Sequence, residues 1–122
     1  MRDRILLVYN ADGGVRGELA YFIKKGLGIA KCELCTITHQ GISERRSWRS
    51  CKSGIDAEVV GLHRNELNAA ELRFIAGRYP CVVSDRSGEL SMVVRPEEFG
   101  AYQGQPEKLA DVITQHLAKD RA

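Results

Sequence analysis

The sequence lacks any long apolar run, so it offers no membrane-spanning helix. Its opening, Met1-Arg2-Asp3-Arg4-Ile5, leads straight into a strand pattern without the small-residue cleavage site of a signal peptide. A cytoplasmic protein with no membrane partner is expected. No Gly-x-x-x-x-Gly-Lys-[Ser/Thr] loop occurs, since Gly13-Gly14 are followed by Val15-Arg16; a P-loop for nucleotide phosphates is excluded. Charge of one sign is also missing. Eighteen Lys and Arg against 16 Asp and Glu give a net charge of +2, too even to argue for a nucleic-acid partner. Internal repeats, low-complexity tracts and linkers are absent, and 122 residues suffice for one domain with one core, residues 1–122.

What is present is chemistry concentrated in one run, Cys32-Glu33-Leu34-Cys35-Thr36-Ile37-Thr38-His39. In a reducing compartment, cysteines are reduced, metal-bound or catalytic more often than bridged. Three readings fit Cys32 and Cys35. They can cycle between dithiol and disulfide, the thiolate favoured by Lys31 or Lys25 nearby in sequence. They can ligate a metal, zinc being the ion such a donor set takes, with His39 as a third ligand and Cys51 or His63 as a further one. A zinc ribbon would need a second Cys-x-x-Cys, which is missing, and Thr36 stands where haem attachment requires histidine. Or both thiols are small buried hydrophobes. The redox reading implies a protein thiol or a small thiol as partner. No other cofactor is indicated.

Hydrophobic periodicity supplies the frame. Ile5-Leu6-Leu7-Val8-Tyr9 reads as a buried central strand. Asn10-Ala11-Asp12-Gly13-Gly14 breaks it, with Asp12 as a candidate N-cap. Val15, Leu19, Phe22, Ile23 and Leu27 recur at helical spacing. Thr36-Ile37-Thr38 has strand propensity but is too short for a full strand. Ser43 is expected to cap a second helix that turns Trp48 and Cys51 to the core, while Arg45, Arg46, Arg49 and Lys52 form a solvated basic face that can attract anions. Residues 58–62 read as a strand and 65–78 as a helix beginning at Asn65 or at Asn68, which forms a capping-box pattern with Glu71. Residues 81–85 and 89–95 read as strands joined by a turn at Asp85-Arg86-Ser87-Gly88, with Gly88 suited to a bulge. Pro106 opens a last helix. Cys81 heads a central strand, so burial is its expected role.

This order, β-α-(Cys segment)-α-β-α-β-β-α, predicts an α/β domain: a four-stranded mixed sheet with a C-terminal β-hairpin and helices on both faces. With a proline, Pro80, directly before the third strand, the chain resembles the thioredoxin-like three-layer sandwich over nearly its whole length. The resemblance implies a cis peptide at Tyr79-Pro80, facing a pocket with Tyr9 and Asp12, and assigns Cys32 as nucleophile and Cys35 as resolving thiol. In thioredoxins the cysteine pair lies between the first strand and the first helix. Here it follows the helix. A helix over residues 15–27 would be roughly 20 Å long at about 1.5 Å per residue, so the pair is expected to start at the far end from Pro80. A narrower resemblance, carried by Val8-Tyr9-Asn10-Ala11-Asp12, by Cys32-Glu33-Leu34-Cys35-Thr36-Ile37-Thr38 and by Leu62-His63-Arg64, is to a group of small uncharacterised bacterial proteins of the same fold.

Overall fold

The computed structural model of the chain describes residues 3–10, 33–40 and 43–121. The expected helix over 15–27, Asp12 and Cys32 lie outside them. Strand β1 (Arg4–Tyr9) is buried along almost its whole length, as a continuous apolar run at the centre of a sheet should be. On one side it pairs in parallel with β4 (Glu58–His63), and on the other antiparallel with β5 (Cys81–Arg86), which pairs antiparallel with β6 (Glu89–Val94). The result is an open, mixed four-stranded sheet in the order β4-β1-β5-β6. A short ribbon, β2 (His39–Gln40) with β3 (Ser43–Glu44), stands apart from it.

Alternation along β1 divides the core between the two faces. Ile5, Leu7 and Tyr9 join a cluster with Leu34 and Ile37 of α1 (Glu33–Thr38), Trp48 of α2 (Arg46–Ser53), Phe99 of a 3-10 segment (Pro96–Tyr102), and Leu109, Ile113 and Leu117 of α4 (Pro106–Arg121). Leu6, Val8, Cys81 and Val83 face the other way, against Leu67 and against Ile75 of α3 (Ala69–Ile75). Helices therefore pack on both faces of the sheet. No helix among the described residues is long and apolar enough to cross a membrane.

Three local expectations are corrected. Residues 36–38, with strand propensity, are helical: Leu34, Ile37 and Thr38 are buried, an i, i+3, i+4 set that a helix turns to one side. Ser43 does not cap α2, because it pairs with Gln40 in the ribbon; the cap position falls to Arg45, which makes no side-chain cap bond. The helix expected over 65–78 is shorter. Arg64–Glu66 form a separate 3-10 turn. The Asn68 side chain then accepts from Glu71 N–H at 2.8 Å while Glu71 Oε1 accepts from Asn68 N–H at 2.8 Å, and the chain leaves α3 through left-handed Ala76. Between β5 and β6, Ser87 and Gly88 both have positive φ, the mirror-image turn whose twist matches that of paired strands. The bulge lies elsewhere, between Val82 and Val83.

Candidate functional site

Register brings chemistry to one end of the sheet. Tyr9 pairs with His63 where parallel β1 and β4 finish, and Val8 pairs with Cys81 where antiparallel β5 begins. Tyr9 thus ends β1 at the end of the sheet where Pro80 leads into β5. The Tyr79-Pro80 peptide is cis, as the resemblance implied. Carboxyl ends of parallel strands at a change of strand order are where open α/β sheets hold ligands.

Tyr9 is built into this end from three directions. A Cβ at residue 61 would stand 3.2 Å from Tyr9 Cε2, so Gly61 gives the ring its place. The His63 ring lies 5.9 Å away, tilted by 38°. The phenol oxygen is 3.1 Å from Thr38 Oγ1, which in turn donates to the Leu34 carbonyl at 3.2 Å. A threonine hydroxyl has one proton; with that proton on Leu34 O, Tyr9 is the donor to Thr38. The bond is buried and ties α1 to the sheet end.

Cys35 lies in α1 one turn before Thr38. The end of α1 thus reaches Tyr9 through Thr38. Cys32, the partner of Cys35 in the motif, is outside the described residues, as is Asp12. His39 is paired through its backbone with Glu44 in the ribbon. Among the described residues no group of three His, Cys, Asp or Glu side chains could hold a metal ion.

Around the rim, charges are held by neighbours. Glu66 Oε1 accepts the His63 main-chain N–H at 2.7 Å and stands 2.7 Å from His63 Nδ1. Two acceptors do not sit that close, so Nδ1 carries a proton toward the carboxylate. Arg64 donates to Asn10 Oδ1 at 3.3 Å and lies 6.0 Å from the Tyr79 ring centroid. Arg78 donates to the Ile75 and Phe74 carbonyls at the end of α3, where a cation suits the helix dipole. Cys81 is fully buried. Desolvation pushes its thiol up to about 12, against a smaller opposing effect of Arg78, so it is protonated at neutral pH and no nucleophile. Burial, as expected, is its role.

Tyr9, Tyr79 and Pro80 thus share an end, though Tyr9 packs on the face covered by α1 and Tyr79 on the face covered by α3. Trp48 is buried and Cys51 packs beside it, with Arg46 and Arg49 exposed. His116 is half-buried with Nε2 2.9 Å from Ser91 Oγ. Sequence reasoning missed Thr38, Gly61 and the His63–Glu66 pair as neighbours of Tyr9. One signal was available: an isolated glycine within a strand pattern marks close approach. Comparison with family models, curated proteins and solved structures gives no match to this chain.

Proposed function

We propose that the chain is a thioredoxin-like thiol–disulfide protein in which Cys32 and Cys35 act at the Pro80 end of the sheet. The observation that carries this reading is the buried Tyr9–Thr38 hydrogen bond, which holds the helix containing Cys35 against the strand end beside the cis-proline. Strand order β4-β1-β5-β6, with β1 and β4 parallel and the other two pairs antiparallel, supports the fold assignment. The same blocks, residues 8–12 and 32–38, carry the proposed kinship with the small bacterial group.

In the proposed reaction the Cys32 thiolate attacks a disulfide of a protein or small-molecule partner. One partner sulfur leaves as thiolate and a mixed disulfide forms. Cys35, giving up its proton to solvent, attacks the Cys32 sulfur, releases the second partner thiolate and closes a Cys32–Cys35 disulfide. Two electrons pass to the partner, which is reduced as the chain is oxidised. In a cytoplasm the dithiol is the resting form. Reduction of a model disulfide in a glutathione buffer tests this. Activity is expected in the native chain and lost in Cys32→Ser, while Cys35→Ser retains a mixed disulfide visible by mass. A Cys32→Ser chain with native activity contradicts the proposal. Zinc co-purifying with the untagged native chain and absent from both variants would instead assign the thiols to a metal or partner-binding module.

A further inference from the structure

We propose that β4 is a dimerisation edge, pairing antiparallel with β4 of a second copy to give one continuous sheet. This goes beyond the thiol reading and does not depend on it. Among the described residues the sheet has two edge strands, β4 and β6. Exposed edges offer unpaired N–H and C=O groups to other chains, and proteins blunt them with bulges, prolines or charges. The β6 edge is altered by the register shift at Val82/Val83. β4 keeps an unbroken register with β1 over all its residues, contains no proline or lysine, and carries no charge from Val59 to Leu62. Gly61 is exposed, and Val59, Val60 and Leu62 are only half-buried.

Main-chain directions fix the pairing. Glu58 N–H donates to Asp3 O at 2.9 Å, so in the alternation of a parallel ladder Glu58, Val60 and Leu62 turn their amides toward β1. Val59, Gly61 and His63 turn theirs outward. His63 agrees, since its N–H reaches Glu66 outside the sheet. Val59 and Gly61 remain as the outward pair. The two faces of the sheet are unlike, so a two-fold axis must run along the sheet normal and match like faces. With Val60 on the axis, Val59 meets Gly61 of the partner subunit and each such pair exchanges N–H···O=C bonds. Val60 then lies opposite Val60 of the partner subunit. Glu58 falls opposite Leu62 of the partner subunit, and Asp56, two residues earlier, comes level with the partner's Arg64, so opposite charges meet just beyond the strand ends. A self-complementary, uncharged edge flanked by opposite charges fits a second copy of this chain.

Sedimentation velocity over a concentration series tests the edge, with two variants. The native chain is expected to sediment at twice the chain mass as concentration rises. Val59→Pro removes an outward donor and leaves the ladder to β1 intact, a place where an edge strand accepts proline. It should raise the dimer dissociation constant by about tenfold or more with an unchanged far-UV spectrum. Val60→Cys places two thiols across the axis at a non-hydrogen-bonded pair, about 4.5 Å between Cα atoms, within disulfide reach. Mild oxidation should link the two chains through that position, as read by peptide mapping. A native chain that stays monomeric at every concentration overturns the proposal. So does a dimer whose introduced thiols never link. If Val59→Pro loses its spectrum, sedimentation of the native chain and the crosslink decide.

Discussion

Tyr9 does two jobs with one side chain. Its ring lies over Gly61 and beside His63, and its hydroxyl reaches α1 through Thr38. Tyr9→Phe keeps the ring and deletes the donor, leaving a buried threonine oxygen short of one bond. A loss of about 1 kcal/mol is expected, read from the urea midpoint at unchanged m-value. The same variant should speed alkylation of Cys35, because α1 loses a tether; an unaltered rate would mean that the bond does not govern the cysteine helix. Cys81 predicts a pH effect. Its folded thiol is raised from 9.0 to about 12. Below pH 9 both folded and unfolded states hold the proton and its contribution is complete. Between about 9 and 12 the unfolded thiol ionises and the folded one does not, so stability falls with pH, by up to about 1.4 kcal/mol per unit. Comparing alkaline unfolding of the native chain with Cys81→Ala isolates this slope, which should be shallower in the variant. At this scale the sequence was readable for burial, since Cys81 and Trp48 stand in apolar patterns. It was not readable for the Tyr9–Thr38 bond, which joins residues 29 positions apart through a helix whose residues have strand propensity.

Among the elements, α1 and α3 separate what local rules can and cannot decide. α3 begins where the capping box says, with both reciprocal bonds formed. Asn68→Ala removes the Oδ1 acceptor of the Glu71 main-chain N–H and keeps the main-chain donor to the Glu71 carboxylate; it should cost about 1 kcal/mol, and thermal unfolding of the variant checks it. Ending α3 was beyond sequence reading, because Ala76 carries the left-handed cap in front of Gly77. α1 went wrong for a different reason. Thr36, Ile37 and Thr38 are β-branched, which favours strands, but packing of Leu34 and Ile37 against the Tyr9 cluster outweighs a per-residue preference of a few tenths of a kcal/mol. Thr38 also tolerates the helix by bonding the Leu34 carbonyl. The displaced Ser43 cap follows from the ribbon, whose pairing no periodicity over two-residue strands could reveal.

For the molecule as a whole, the mixed four-stranded sheet with helices on both faces was legible because apolar runs, helical stripes and one tight turn leave few topologies; the strand order β4-β1-β5-β6 was not read from the sequence. The placement of the cysteine segment was not. Chain order sets it behind a helix, far from Pro80; Cys32 lies outside the described residues, and among those described Thr38, at the end of α1, is bonded to Tyr9 at the end of β1. The proposed thiol chemistry depends on both cysteines working at that end. It is tested most directly by counting thiols in denaturant after equilibrating the native protein in reducing and in mildly oxidising glutathione buffers. The chain has four cysteines. The account predicts four free thiols in the reduced buffer, two in the oxidised one, and no such two-thiol difference in Cys32→Ser. Four free thiols in both buffers, or a two-thiol loss that persists in Cys32→Ser, would contradict it.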